Sequence, residues 1–279
     1  MTSADKIAEF RRLHESGCFV IPNPWDIGSA RWLRGLGFKA LATTSSGAAW
    51  SLGFPDNGLP VDQALAHIRM IVEATDLPVN ADFEGGFAHD AQGVARNVTR
   101  CLETGVAAVS IEDSTTDKAK PLYDLAHAVE RMRAARGAVD AHGKGALLVG
   151  RAECFLTGHQ DPLNEAISRL KAYAGAGADV LYAPGVRTRE DIAAVVKAVA
   201  PKPVNVLIGW PSELTVSDLA ALGVRRISVG GALARAAWSG FARTAEAIAN
   251  QGSFSGFATN VPAVDLNGFF SKDAQERRK

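Results

Sequence analysis

Short apolar runs alternate along the chain with longer segments in which apolar residues recur at helical spacing. Eight of these runs have the length and composition of strands buried in a parallel sheet. They extend over Cys18 to Ile21, Ala40 to Thr44, Val79 to Phe83, Ala107 to Ile111, Ala146 to Arg151, Asp179 to Tyr182, Val204 to Ile208 and Arg226 to Val229. A helical pattern follows each run, so the chain predicts a repeated strand–helix unit.

The helical segments begin near capping residues and end near glycine. Examples are Asp26 to Leu36, which closes at Gly37, and Asp161 to Ala174, which closes at Gly175. Eight such units close most simply into an α/β fold of the (β/α)8 TIM-barrel type, whose active site lies at the carboxyl ends of the strands. An open doubly wound sheet is less favoured, because its Gly-x-Gly-x-x-Gly sequence is absent after the first strand.

The repeat ends after a helical segment over Ala236 to Ala249. We therefore expect a barrel over residues 1–250 and a C-terminal extension over residues 251–279. The extension contains a loose segment, Gly252 to Phe257, and a short apolar element, Val264 to Phe270. It can pack on its own barrel or on a neighbouring subunit, and periodicity leaves both arrangements open.

The composition fits one large α/β domain and excludes other classes of protein. With 279 residues, 47% of them hydrophobic, the chain can bury a single large core. Lysine plus arginine and aspartate plus glutamate number 30 each, so no net charge favours nucleic acid or an anionic membrane. Small anions can still bind locally.

Three further features bear on the compartment. No apolar run reaches membrane-spanning length, and the polar amino terminus lacks the apolar core of a signal peptide. Cys18, Cys101 and Cys154 are odd in number and widely separated, so neither a disulfide framework nor a structural zinc site is indicated. The cytoplasm is the expected compartment.

Charged residues follow three neighbouring strands where those strands end. They lie at or just beyond the strand ends: Asp82 and Glu84 for the third strand, Glu112 and Asp113 for the fourth, and Arg151 and Glu153 for the fifth. Charge at the end of a buried strand is costly unless it is paired or binds a metal. Five carboxylates and one arginine therefore predict a divalent-metal site for an anionic substrate.

Several motifs resemble those of the isocitrate lyase and phosphoenolpyruvate mutase superfamily. They are Asn23-Pro24-Trp25-Asp26, Thr43-Thr44-Ser45-Ser46-Gly47, Ser51-Leu52-Gly53-Phe54-Pro55-Asp56 and the strand ends at Asp82, Glu112 and Arg151-Ala152-Glu153. The matching motifs extend over nearly the whole barrel and occur in the same order as in the superfamily. The resemblance implies homodimers or tetramers whose barrels exchange the last helix, and it implies Mg²⁺ in the site, with Mn²⁺ as a substitute.

The resemblance also implies a metal site and a catalytic set. Asp82 would bind the metal directly, whereas Asp56, Glu84 and Glu112 would act directly or through bound water. Arg151 would hold an oxyanion or a carboxylate of the substrate. Glu112 and Asp56 complete the expected catalytic set.

A small-molecule carboxylate is the expected substrate. Its predicted binding residues are Ser45, Ser46, Gly47, Trp25, Asn205 and Glu153. In relatives the serine–glycine turn after strand two holds the substrate carboxylate. The two serines can also be plain loop residues.

Elementary chemistry agrees with these implied roles. Mg²⁺ prefers six oxygen ligands and keeps several waters, so one direct carboxylate with outer carboxylates around it is a plausible arrangement. A 2-oxo acid chelates through its keto and carboxylate oxygens. The metal then stabilises the enolate that forms when a bond to the adjacent carbon breaks.

Structural alternatives exist for several of these residues. Glu112 and Arg151 can form an ion pair at the barrel mouth without a substrate. Asp56 lies in an ordinary turn sequence. His89 and His159 lie in loops on the expected active face, where a solvated histidine is more common than a proton donor.

One segment departs from the superfamily pattern. Carbon–carbon lyases of this family carry Lys-Lys-Cys-Gly-His or Lys-Arg-Cys-Gly-His in a mobile loop after strand four, and the cysteine serves as proton donor or acceptor. This chain has Ser114-Thr115-Thr116-Asp117-Lys118-Ala119-Lys120-Pro121 instead. Threonine and lysine replace a cysteine thiolate poorly at neutral pH. We therefore expect poor cleavage of isocitrate and methylisocitrate.

Taken together, the residues and the resemblance predict a Mg²⁺-dependent lyase or decarboxylase. Its substrate would be a small 2-oxo or 2-hydroxy carboxylate, cleaved through a metal-stabilised enolate. Carbon–phosphorus chemistry of the phosphonopyruvate type is one alternative, and a non-catalytic metabolite-binding barrel is another. A Schiff-base aldolase is disfavoured, because none of the eight strand ends presents a lysine.

Overall fold

The computed structural model of the protein describes residues 2–115 and 117–277. Within them, eight parallel strands form one sheet in the order β1-β8-β7-β6-β5-β4-β3-β2. They are β1 (Phe19–Ile21), β2 (Leu41–Ala42), β3 (Val79–Asp82), β4 (Ala108–Glu112), β5 (Leu147–Arg151), β6 (Val180–Tyr182), β7 (Val204–Leu207) and β8 (Arg226–Ser228). A backbone hydrogen bond of 3.1 Å from Ala42 to Pro22 links the sheet edges. The predicted (β/α)8 barrel is confirmed.

Helices alternate with these strands and cover the outside of the barrel. They are α1 (Ser3–Leu13), α2 (Ile27–Gly35), α3 (Ser45–Ser51), α4 (Val61–Ala74), α5 (Ala91–Leu102), α6 (Leu125–His142), α7 (Pro162–Gly175), α8 (Arg189–Val199), α9 (Val216–Ala221), α10 (Ala232–Gln251) and α11 (Ala263–Glu276). A 3₁₀ helix, Ser255–Thr259, precedes α11. The apolar core fills the layer between strands and helices.

The largest departure from the predicted elements follows β2. The expected strand Ala40 to Thr44 shortens to two residues, and the expected serine–glycine turn is the start of helix α3. Thr44 causes the change, because its hydroxyl accepts a 3.2 Å hydrogen bond from the Gly47 N–H and caps the helix. A helix amino terminus therefore faces the barrel mouth at this position.

Helix α1 packs against segments that precede the strands. Phe10 is fully buried, and its ring lies edge-on to Phe19 of β1 at 6.4 Å. Lys6 Nζ donates to the Thr75 carbonyl at 2.7 Å, and Arg11 Nε donates to the Gly145 carbonyl at 2.6 Å. The helix therefore covers the amino ends of the strands and leaves the carboxyl ends open.

The C-terminal helix α11 contacts α2 of the same chain. The Trp32 and Phe269 rings lie 4.4 Å apart, and Arg34 Nη1 lies 3.3 Å from a Glu276 carboxylate oxygen. The division at residue 250 and the exchange of the last helix between subunits remain predictions. Across the two described ranges, no helix combines the length and apolarity needed to span a membrane.

Candidate active site

Arg151 lies at the centre of the charged residues at the carboxyl ends of the strands. It is the last residue of β5, and the ladder register sets it beside Glu112 of β4. Its Nη1 lies 3.2 Å from Asp82 Oδ1 and 3.0 Å from Glu112 Oε2, and its Nε donates to Glu153 Oε1. Its Nη2 makes no hydrogen bond to any described residue, so this edge of the guanidinium stays available, while one face lies over the Tyr182 ring at 5.3 Å.

Asp82 is held from two sides. Its Oδ2 accepts hydrogen bonds from the Ser45 N–H and the Ser45 hydroxyl, both at 2.9 Å, and its Oδ1 faces Arg151. Its own N–H donates to the Thr43 hydroxyl at 2.9 Å. The amino terminus of α3 thus orients the carboxylate that the sequence predicts as the direct metal ligand.

Four carboxylates, those of Asp56, Asp82, Glu84 and Glu112, cluster at this edge. Burial, followed by the charges of Asp82, Glu112 and Asp56, raises the pKa of Glu84 to about 8. Burial also raises the pKa of Glu112, against the opposing effect of Arg151. Four acids with one arginine leave excess negative charge, which a bound cation would relieve.

The backbone at Glu84 is unusual. Its φ of +46° lies in the left-handed region, which residues other than glycine rarely adopt. Such conformations persist where the surrounding structure enforces them, and they concentrate at functional sites. The backbone carbonyl of Glu84 accepts a 3.0 Å hydrogen bond from the Glu112 N–H, which ties the segment after β3 to β4.

The residues fit a Mg²⁺ ion that keeps most of its waters. Across residues 2–115 and 117–277, no three histidine, cysteine or carboxylate side chains converge as a preformed metal site. Mg²⁺ commonly takes only one or two protein carboxylates and binds the others through water. The negative cluster around Asp82 supplies that type of donor set.

A cavity of about 180 Å³ opens at the same end of the barrel. Six predicted site residues line it: Ser45, Ser46, Asp56, Asp82, Arg151 and Asn205. Thr44 Oγ1 lies 3.1 Å from Ser46 Oγ, which sets the second serine at the start of α3. The structure therefore brings residues from five separate segments to one space.

The other predicted site residues lie around this cavity. Glu84 and Glu112 line an adjoining cavity of about 200 Å³. Glu153 is buried against Arg151, and Gly47 is buried within α3. Trp25 lines a separate groove beside α10. Substrate contacts of these residues remain predictions.

The sequence of the barrel matches a known family. The family described as phosphoenolpyruvate phosphomutase matches residues 10–249. The protein belongs to this family. It is therefore an enzyme of the superfamily that the motifs resemble, and that resemblance is confirmed.

Relatives within the superfamily carry different activities. The chain is 33% identical to an oxaloacetate decarboxylase of Paraburkholderia xenovorans, over 77% of this chain and 71% of the relative. It is 34% identical to the 2-methylisocitrate lyase of Salmonella typhimurium, over 52% and 50% of the two chains. The family thus includes carbon–carbon lyases.

Solved structures show the same range. A Burkholderia cenocepacia protein, provisionally named a lyase/mutase, is 46% identical with a TM-score of 0.92 over 96% of this chain and 97% of its own. An oxaloacetate acetylhydrolase bound to oxalate is 28% identical, with a TM-score of 0.85 over 99% and 97%. A phosphonopyruvate hydrolase with oxalate and Mg²⁺ is 25% identical, with a TM-score of 0.84 over 100% and 98%.

Several polar residues that line the cavity were not predicted from the sequence. They are Asn23, Thr43, Asn80, Ser110, Tyr182, Arg226 and Ser228. Most of them interrupt the apolar runs of strands, as Asn80 does between Val79 and Ala81. In a TIM barrel the inward positions are usually filled with bulky apolar residues, so a polar residue inside a strand run was the available signal.

Asp113 has a structural role among the strand-end carboxylates. Its Oδ1 accepts from the Glu153 N–H at 2.8 Å, and its Oδ2 accepts from Arg169 Nη1 at 3.0 Å. The Tyr173 hydroxyl also donates to Oδ2. These buried partners satisfy the carboxylate and fix Glu153 beside Arg151.

Gly230 and Gly231, the two residues before α10, have structural roles. Asn23 Oδ1 accepts hydrogen bonds from the N–H groups of Val229 and Gly230, at 3.0 and 2.9 Å. A Cβ on Gly231 would lie 2.7 Å from Ser46 Oγ. These two N–H groups are therefore already bonded within the chain, and the absence of a side chain at Gly231 lets the segment approach α3 closely.

The loop after β4 folds back on itself. Ser114 and Leu122 form an antiparallel bridge, and the Ser114 hydroxyl donates to Glu112 at 2.5 Å. Lys120 pairs with Asp124 at 2.8 Å on the surface. Thr116, which the sequence analysis weighed as a proton donor, lies outside the described residues.

The predicted histidines are exposed. His89 Nδ1 lies 2.6 Å from the Tyr123 hydroxyl, and His159 Nδ1 accepts from the Asp161 N–H at 3.2 Å. Within the described chain, no cysteine lines the site cavity. Cys154 is buried, and burial raises its pKa to about 12.

Proposed function

We propose that the protein is a Mg²⁺-dependent lyase that breaks a carbon–carbon bond of a small 2-oxo carboxylate, with decarboxylation of an oxaloacetate-like acid as its preferred reaction. The supporting observation is the open side of Arg151 in a cavity that Asp82 and Ser45 also line. The Arg151 guanidinium and a cation held by the carboxylates would together bind a ligand with two neighbouring anionic oxygens.

The chain's own residues would bind and orient the substrate. Arg151 would donate from Nη2 to a carboxylate or oxyanion, while Asp82, Glu112 and Glu153 fix the rest of its guanidinium. At the start of α3 the Ser45 N–H and the Gly47 N–H are bonded to Asp82 and Thr44, so a ligand contact there would come from side chains. Ser46 lies at that helix start and would contact the same ligand.

Asp82 would hold Mg²⁺ directly, with Glu84 and Glu112 holding waters of its shell and Mn²⁺ as a substitute. When bound, the ion would supply Lewis-acid stabilisation of negative charge on the substrate oxygens. Asp56 would accept from a water on the solvent side of the same cavity.

The proposed reaction class follows from the absence of a cysteine proton donor in the site cavity of the described chain. In decarboxylation the electrons of the broken bond stay on the substrate as an enolate, and carbon dioxide leaves without a proton. Water can then protonate the enolate. Lysis of isocitrate instead needs a group poised over the substrate, and no cysteine of the described chain is placed there.

A substrate panel tests the proposal. Purified protein with Mg²⁺ would be assayed with oxaloacetate, methylisocitrate, isocitrate and phosphonopyruvate. We expect the highest kcat/KM for oxaloacetate, and preferred cleavage of isocitrate or methylisocitrate would contradict the proposed decarboxylation. Preferred turnover of phosphonopyruvate would assign carbon–phosphorus chemistry instead, and no turnover of any of the four would favour a non-catalytic binding protein.

A further inference from the structure

Arg226 is a buried arginine on the inner wall of the barrel. It is the first residue of β8, its exposed fraction is 3%, and it lines the site cavity together with Arg151. Its neighbours in the ladder are Phe19 and Asn205. It therefore lies deeper in the barrel than the residues at the strand ends.

The guanidinium of Arg226 has neutral partners. Its Nε donates to Asn205 Oδ1 at 2.8 Å, and its Nη1 donates to Asn80 Oδ1 at 3.3 Å. No carboxylate of the described chain lies within 4.0 Å of it, whereas Arg151 has three. A buried arginine normally has an anionic partner, because desolvating its charge is costly.

The two amides are held in place by their own hydrogen bonds. Asn205 Nδ2 donates to Ser228 Oγ at 2.9 Å, and Asn80 Nδ2 donates to Ser110 Oγ at 3.1 Å. Their oxygens can therefore face the guanidinium and orient it. They use two of its five N–H groups and leave the others for a ligand.

The nearby titratable groups do not balance this charge. Burial, together with the charge of Arg226, lowers the pKa of His14 to about 3, so this histidine is neutral at neutral pH. Burial raises the pKa of Tyr182 to about 12, so its phenol also stays neutral. The cavity thus has an acidic mouth around Asp82 and a cationic floor.

We infer that Arg226, with Asn80 and Asn205, forms a carboxylate subsite at the floor of the cavity. The ligand is then a dicarboxylate, with one end at Arg151 and a second carboxylate at Arg226. This inference rests on the proposed function, because it takes the cavity as the substrate site. It adds that a monocarboxylate would occupy only one of the two carboxylate-binding positions, at Arg151 and at Arg226.

Matched ligand pairs test the subsite by binding alone. Each pair differs only in a terminal carboxylate or methyl group: 2-oxoglutarate with 2-oxopentanoate, and L-malate with 2-hydroxybutyrate. Calorimetry in Mg²⁺ buffer compares wild type, Arg226→Gln and a control, Arg225→Gln. Arg225 is the adjacent arginine, and it donates to the Gly17 carbonyl at the barrel's amino end.

In wild type we expect one dicarboxylate to bind about 30-fold or more tightly than its matched monocarboxylate, as for a buried charge pair. Arg226→Gln should remove this preference, and Arg225→Gln should keep it. Absence of a preference in both pairs, or its survival in Arg226→Gln, would overturn the subsite.

A crystal structure of wild type with the preferred dicarboxylate tests the same point without a variant. We expect a carboxylate within hydrogen-bond distance of Arg226, and both carboxylates elsewhere would contradict the inference. An Arg226-dependent preference without turnover would reject the proposed function and keep the subsite. Turnover without that preference would reject the subsite alone.

Discussion

At the scale of single residues, the two arginines of the cavity have opposite electrostatic surroundings. Arg151 contacts three carboxylates, and Arg226 contacts two amides. The charge of Arg151 was predictable, because it follows an apolar run at a strand end. Arg226 is the first residue of its apolar run. An arginine at the start of such a run commonly points to solvent.

Lysine at position 151 should impair catalysis while the fold survives. Arg151→Lys keeps one positive charge but loses the planar fork that contacts Glu153 and faces the substrate. We expect kcat/KM to fall by about 100-fold or more. The control is Arg34→Lys on the surface, paired with Asp76. Near-normal turnover in Arg151→Lys would leave Arg151 as a structural ion-pair partner.

Asp82 and Asp113 should separate metal binding from stability. Asp82→Asn should weaken Mg²⁺ binding by more than about tenfold in calorimetry, since it removes the negative charge of the proposed direct ligand. Asp113→Asn should lower the unfolding temperature, because Arg169 and Tyr173 would lose a buried carboxylate. Equal Mg²⁺ affinity in Asp82→Asn and wild type would reject the ligand assignment.

At the scale of elements, strand positions were more predictable than the segments between strands. The eight strands coincide with apolar runs to within one or two residues, because burial on both faces requires continuous apolar sequence. Helix α3 was missed, since its residues Ser45–Ser51 are small apart from Trp50 and carry no helical apolar repeat. The start of this helix depends on the cap at Thr44, and the same residues are also typical of a turn.

Helix α1 gives the protein a predictable dependence on pH. His14 ends this helix, its Nδ1 lies 2.7 Å from the Phe10 carbonyl, and its folded-state pKa of about 3 lies below the usual value near 6.5. The folded state therefore excludes a proton that the unfolded chain binds. Its contribution to stability is complete above pH 6.5 and declines as the pH falls toward 3.

Replacing this histidine should flatten the acid side of the stability profile. In urea unfolding between pH 7 and pH 4, His14→Phe should lose less unfolding free energy than wild type. His159→Phe, in an exposed loop, should follow the wild-type curve. Parallel curves for His14→Phe and wild type would mean that burial does not suppress protonation of His14.

At the scale of the whole molecule, the C-terminal region exposes a large apolar surface. Phe241, Phe254, Phe257 and Val264 are each at least half exposed in the single chain. Extended apolar patches of this kind usually mark an interface. This surface supports the expected homo-oligomer, in which the extension over residues 251–279 contacts a neighbouring subunit.

A charge in this surface should disrupt the oligomer. We expect sedimentation velocity to give a dimer or tetramer for wild type and a smaller species for Phe241→Glu. Val216→Glu, which charges an exposed valine at the start of α9, should leave the assembly unchanged. A monomeric wild type would reject the oligomer, and an unchanged Phe241→Glu assembly would place the interface elsewhere.

The charged residues at the mouth of the cavity were predictable from the sequence, whereas the polar residues deeper in the barrel were not. Asp82 and Arg151 follow strand runs, so the barrel topology alone brings them to one mouth. Asn80 lies inside its run and Arg226 is the first residue of its run, and their contact depends on the strand register across the barrel. Asp113 shows the converse, because only the structure reveals the buried partners that satisfy it.

The central claim is Mg²⁺-dependent carbon–carbon cleavage of a small 2-oxo acid at this site. The most direct measurement is the initial rate of oxaloacetate decarboxylation, followed by NMR and corrected for the rate with Mg²⁺ alone. We predict protein-dependent pyruvate formation that stops on addition of chelator, returns with excess Mg²⁺, and is lost in Asp82→Asn. A corrected rate of zero, or one that chelator and Asp82→Asn leave unchanged, would contradict the account.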